Sequence, residues 1–180
     1  MPRYVAFLRA INVGGHIVKM DALRRHFASL GFDEVETFIA SGNVIFQSRS
    51  TAAAAVERRI EACLEERLGY EVKTFLRTDA EVAAIAAYRA FEPARVASAG
   101  SFNVGFLAGP LDNLAITKVK GFASAIDEFH VNGRELYWLC RTKQSDSKFS
   151  NVAFEKAIGA RATFRGLNTI RRLADTLALP

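Results

Sequence analysis

Two stretches of this 180-residue sequence combine residue types that can hold an anion. The first is Leu8-Arg9-Ala10-Ile11-Asn12-Val13-Gly14-Gly15-His16. Glycines let a backbone turn sharply and bring amide groups close to a negative charge, and a helix start beyond them adds positive potential. Arg9, Asn12, Gly14 and Gly15 are the candidate ligands there. The same residues also suit a plain structural loop, and both readings stand at this point. The second stretch lies late in the chain. Lys143, Ser145, Ser147 and Lys148 precede one expected helix, and Arg165, Asn168 and Thr169 precede another. Capping by Ser150 and Asn168 would account for the hydroxyl and amide residues. It leaves Lys148 and Arg165 for binding a phosphate beside free helix-start amides.

Other chemistries find less support. The glycine stretch is neither GxGxxG nor a Walker motif, so it names no nucleotide class. GxSxG and CxxC do not occur, and no cofactor is expected. His16, His26 and His130 lack metal-ligand spacing with one another or with Cys63 and Cys140, so no metal site is expected. Each cysteine falls at an apolar position of an expected element, which reads as a buried free thiol of a reducing, cytoplasmic compartment. Acidic residues such as Glu57, Glu61, Glu65 and Glu66 lie on an exposed helix face, so catalytic residues are not assigned.

The elements that must position these residues follow from periodicity. Residues 3–9 alternate as a strand rather than forming a signal segment, because Arg9 ends the apolar run. Met20, Leu23, Phe27 and Leu30 share a helical face that ends at Gly31. Val35, Thr37 and Ile39 alternate, Ser41-Gly42-Asn43 reads as a tight turn, and Val44 and Phe46 return. Ser50-Thr51 cap a helix carrying Val56, Ile60, Cys63, Leu64 and Leu68, ended by Gly69, and residues 71–77 form a strand. Thr78 and Glu81 have capping-box spacing. Residues 91–100 form a linker between a first unit, 1–90, and a second, 101–180. The second unit repeats the order. It has a strand at 101–107, a helix at 111–119, and a hairpin turning at Asn132-Gly133. A helix at 150–158, a strand at 161–165 and a last helix complete it. The fold class is therefore α+β, a tandem pair of ferredoxin-like βαββαβ units with an extra C-terminal helix, in one globule.

Half of the residues are hydrophobic and the net charge is +5. A packed core is expected, and no apolar run is long enough to cross a bilayer, so no membrane partner is expected. The charge favours an anionic small molecule as partner, and nucleic acid is the weaker alternative. A ferredoxin-like sheet can stack RNA bases on aromatics of its central strands. Asn43-Val44-Ile45-Phe46-Gln47-Ser48 lacks the basic and glycine residues of such a surface, and Phe46 reads as core. A ligand-free interaction module is the third reading.

Several stretches together resemble a known family. They are Tyr4-Val5-Ala6-Phe7-Leu8-Arg9-Ala10-Ile11-Asn12-Val13-Gly14-Gly15, Ile39-Ala40-Ser41-Gly42-Asn43-Val44-Ile45-Phe46, Ser147-Lys148 and Arg165-Gly166-Leu167-Asn168-Thr169. They look like the bacterial domain-of-unknown-function family 1697, a resemblance covering nearly the whole chain. The chain departs from it at Ala10, where the family commonly has Gly, and at Gly166-Leu167, where it commonly has Asn-Trp. The resemblance implies a cytoplasmic bacterial protein with ferredoxin-like subdomains, and it implies no activity.

In a βαββαβ unit the loop after the first strand and the turn after the second emerge at one end of the sheet. Arg9, Asn12, Gly14 and Gly15 are therefore expected beside Ser41 and Asn43, and Lys148 beside Arg165 and Asn168. If a two-fold axis relates the units, both sets line one cleft between the halves and bind a phosphate-bearing small molecule or nucleotide.

Overall fold

Strand β1 (Arg3–Leu8) shows why a short apolar run can organise a whole sheet: all of its residues after Arg3 are buried. Burial on both faces marks a central strand. In this computed structural model, which describes residues 1–12 and 14–180 and leaves the side chains of Ala40 and Ser41 outside the description, β1 is indeed central. It is followed by α1 (Met20–Ser29), β2 (Asp33–Phe38), β3 (Ala40–Gln47), α2 (Ala53–Leu68) and β4 (Thr74–Thr78). The sheet has the order β2-β3-β1-β4 and is antiparallel throughout. Leu23 and Phe27 of α1, with Val56, Ile60 and Leu64 of α2, pack on Tyr4, Ala6, Leu8, Val44 and Phe46. Phe46 is core, as its sequence context indicated, with its ring centroid 4.5 Å from that of Phe32.

The second half repeats the pattern. It comprises β5 (Ser101–Leu107), α5 (Asn113–Lys120), β6 (Asp127–Asn132), β7 (Glu135–Cys140), α6 (Asn151–Ile158) and β8 (Ala162–Gly166). Its antiparallel sheet has the order β6-β7-β5-β8. The protein is thus a mixed α+β structure with two four-stranded antiparallel sheets of the same element order. Helices α3 (Asp79–Ala87) and α4 (Pro93–Ser98) lie between the two sets, and α7 (Leu167–Ala178) follows. By internal contacts the first unit is Met1–Ala84 with Leu173–Pro180, and the second is Ile85–Arg172. In the first, the Arg3 guanidinium donates to the Leu177 carbonyl and so ties the last turn of the chain to β1.

Local chemistry sets the boundaries. The Thr78 amide donates to Glu81 Oε2 at 2.8 Å and the Glu81 amide to Thr78 Oγ1 at 3.2 Å, a reciprocal capping box. Asp112 Oδ1 accepts from the Ala115 amide at 2.7 Å, and Ser150 Oγ from the Ala153 amide at 3.1 Å. Gly69 and Gly159 end α2 and α6 in the left-handed conformation.

Three elements differ from expectation. Ser41-Gly42-Asn43 is not a turn but part of β3, and Asn43 pairs with Phe7. The reversal occurs one step earlier, between Phe38 and Ala40, with Ile39 at φ 61. Pairing with the central strand outweighs the local turn preference of Ser-Gly-Asn. Helix α2 starts at Ala53 with Ala52 as its cap, because Ser50 Oγ accepts from the Ala52 amide at 3.2 Å, ahead of the helix. Residues 91–100 contain helix α4, opened by Pro93. Of the two thiols, Cys140 is buried and Cys63 half-buried. No helix among the described residues is long and apolar enough to cross a membrane.

At the start of β5 the chain makes a close approach. The Gly100 amide donates to the Cys140 carbonyl at 3.0 Å, and a Cβ there would lie 1.9 Å from the Thr142 carbonyl oxygen. Two backbone segments cannot yield that distance without breaking the pairing. Gly100→Ala is expected to cost about 2 kcal/mol or more; an unchanged urea midpoint would show that the segments can separate freely.

Candidate functional site

Strands β7 and β8 both run antiparallel to β5, so both end where β5 begins: Ser101 pairs with Cys140, and Asn103 with Gly166. The segments leaving them therefore start at the same end of the sheet. Asn103, buried on β5, donates through Nδ2 to Gln144 Oε1 at 3.2 Å. A groove of about 470 Å³ opens at this end of the second unit. Its polar wall comprises Ser101, Asn103, Gln144, Asn168, Thr169 and Arg171. The Ser101 hydroxyl is buried and has no hydrogen-bond partner among the described residues.

Helix α7 begins in this groove. The chain passes from β8 to α7 at Gly166-Leu167 without a loop. Asn168 is thus not the cap expected from its residue type but lies in the first helical turn. Gly166, the residue before the helix, has no side chain that could accept from its first amides. Arg171 follows Leu167 by four residues, on the same helical face, and both line the groove.

The segment after β7 is held by a buried carboxylate. Asp127 accepts from Trp138 Nε1 at 2.8 Å, Ser147 Oγ at 2.7 Å and Ser124 Oγ at 3.2 Å. This cluster satisfies both carboxylate oxygens and ties the loop to β6 and β7. Ser147, read from sequence as part of a polar binding set, is a structural donor here. Lys148 is exposed on the segment before α6, and Arg165 donates from β8 to Thr163 Oγ1 at 2.8 Å and to the Phe164 carbonyl at 2.9 Å. Burial lowers the Arg165 pKa to about 10, so it stays cationic at neutral pH. Neither Lys148 nor Arg165 lines the groove; of the polar residues singled out in this unit from sequence, Asn168 and Thr169 do. Arg171, Gln144, Asn103 and Ser101 were missed. Only the pairing of β5 with β7 and β8 brings them together, which no local pattern displays.

The first unit gathers the other candidates. The pairing of Phe7 with Asn43 brings the segment starting at Arg9 alongside Ser41, whose side chain, like Val13 as a whole, lies outside the described residues. The Arg9 amide donates to the Lys73 carbonyl at 2.9 Å. Asn12 Oδ1 accepts from the Val18 amide at 2.8 Å and so closes the glycine loop. Tyr70 donates from its hydroxyl to the Ile11 carbonyl at 2.7 Å. Gly14 and Gly15 are exposed at φ 66 and 83. Asn43 is buried and donates to the Phe38 carbonyl at 3.1 Å, across the β2–β3 reversal. Both asparagines thus serve backbone groups.

Over residues 1–137 the sequence matches the family described as Protein of unknown function (DUF1697). The chain belongs to this family. The matched stretch includes β1 to β6 and the start of β7, whereas Gln144 and the start of α7 lie beyond it. The fold is similar to that of the conserved bacterial protein SP0830 from Streptococcus pneumoniae, with a TM-score of 0.75, 22% identity and 99% of each chain covered. No curated protein matches the sequence. The matches therefore give the chain a family and a fold, and no specific function.

Replacing Asp127 by Ala leaves the Trp138 and Ser147 donors buried without an acceptor. The expected cost is about 3 kcal/mol. Denaturant unfolding of the variant checks this, and a loss under about 1 kcal/mol would mean that water replaces the carboxylate.

Proposed function

We propose that this protein binds a phosphate-bearing small molecule in the groove at the start of α7. The observation that carries this reading is the convergence of the first turn of α7 and the Arg171 guanidinium on one concave surface. Amides at a helix start point at an anion and carry partial positive charge, and a guanidinium adds charged hydrogen bonds. Asn168, Thr169 and Gln144 add neutral donors around the same space.

Charge distribution supports placing the ligand in the second unit. That unit holds 13 of the 24 basic side chains and seven of the 19 acidic ones, a net +6, against 11 and 12, a net −1, in the first. The first unit's glycine segment is also weakened as a site because Asn12 and Asn43 are engaged with backbone.

Each unit is read here as ferredoxin-like, a reading supported by the shared βαββαβ order and the identical sheet order. A cytoplasmic location is proposed on the free state of both cysteines.

Thermal unfolding with inorganic phosphate, ribose 5-phosphate and nucleoside monophosphates tests the binding reading. At a concentration 100 times Kd, a true ligand stabilises by about 2.7 kcal/mol. Arg171→Ala is expected to abolish that gain while leaving the unliganded Tm within a few degrees, because Arg171 is exposed. Stabilisation that persists in Arg171→Ala, or its absence for every phosphate compound, would overturn the reading.

A further inference from the structure

Beside the polar groove lies a second recess of about 410 Å³, also within the second unit. Its walls combine the aromatic and apolar side chains Tyr88, Phe91, Pro93, Val96 and Phe102 with Arg89 and Arg171. The two spaces share Val96, Ala97, Phe102, Leu167 and Arg171, so they adjoin along a common wall. The rings of Phe91 and Phe102 stand at 75° with centroids 5.7 Å apart. Two rings at that angle form a corner in which a planar ligand can stack on one ring and meet the other at its edge. Arg95, itself paired with Glu128, lies 6.0 Å from the Phe91 centroid.

We infer that the ligand is a nucleoside 5′-monophosphate, its base in the Phe91–Phe102 recess and its phosphate beside Arg171. This rests on the phosphate reading above and extends it from a charge to a molecule. A nucleotide joins an aromatic plane to an anion through one sugar, so its two subsites must share a wall, as these do. The volumes fall within the usual range for small-molecule sites. The arrangement suits one base rather than a strand of them. Tyr137, which could extend a stacking platform across the sheet, is 1% exposed, and the Tyr88 ring packs on it with centroids 5.0 Å apart. Tyr88 is held there by a 2.8 Å hydrogen bond with His130.

Calorimetric titration of the whole chain with AMP, GMP, CMP, UMP, ribose 5-phosphate and a ten-residue oligoadenylate decides the matter. At least one monophosphate is expected to bind about tenfold or more tighter than ribose 5-phosphate, the usual worth of one stacked base. Phe102→Ala is expected to weaken monophosphate binding more than ribose 5-phosphate binding and so to shrink that difference, although Phe102 also borders the polar groove. Phe91→Leu keeps an apolar side chain in place and serves if the first variant unfolds; it should narrow the difference in the same direction. Equal binding of ribose 5-phosphate and every monophosphate would overturn the base subsite and leave the phosphate reading intact. No binding by any of them would overturn both. Tighter, steeply salt-dependent binding of the oligoadenylate would overturn the mononucleotide in favour of a polymer.

Discussion

The architecture depends on one pairing constraint: the first strand of each unit lies at the centre of its sheet and is antiparallel to both neighbours. A central strand must bury both faces, and β1 and β5 carry the apolar residues that permit it. Once the pairing is set, the third and fourth strands of a unit run the same way and must leave the sheet at the same end. In the second unit that end holds Gln144 and the first turn of α7 side by side, although 24 positions separate Gln144 from Asn168. Pairing geometry, rather than any motif, creates the groove.

Much of this frame was legible because it depends on local periodicity and on stop signals. The strand Ser101–Leu107, the Asn132-Gly133 reversal, the Thr78–Glu81 capping box and the glycine ends of α2 and α6 all follow from residues that act on their immediate neighbours. That β7 and β8 end at the same end of their sheet follows from strand direction alone. What escaped the sequence reading were choices made by partners distant in the chain. Ser-Gly-Asn has turn chemistry, yet Asn43 is recruited by Phe7 and the reversal falls on Ile39, a β-branched residue that disfavours positive φ.

Polar side chains were the harder case. A buried amide or carboxylate is held by whatever backbone or side-chain group needs it, and residue type alone does not reveal which. Asn12, Asn43 and Ser147 were candidates for a ligand, and each makes a hydrogen bond to a group of the protein itself. Arg171 reads in sequence as half of an ordinary surface pair with Arg172, and only its position one helical turn after Leu167 gives it a role. The local charge is equally hidden: a net +5 spread along the chain looks like a solvated surface, but division into units assigns +6 to the second and −1 to the first.

The junction at Gly166-Leu167 brings these strands of argument together. In the same unit α5 is capped by Asp112 and α6 by Ser150, so their first amides already have acceptors. At α7 a strand runs straight into a helix, and the residue between them offers no side chain. A Cβ built on Gly166 would meet nothing within 4 Å, so open space adjoins the amides. That opening costs the fold little, since glycine at a helix start is only a few tenths of a kcal/mol worse than a good cap. It also leaves the helix start accessible to an outside acceptor. Leu167, a buried side chain, is part of the wall common to the polar groove and the aromatic recess. These two residues are the place where the chain departs from the Asn-Trp pattern of its resemblance. An indole in place of the Leu167 side chain would add bulk to a wall that both spaces share. The size of the groove and of the recess beside it is therefore set by this chain's own residues at the strand-to-helix junction.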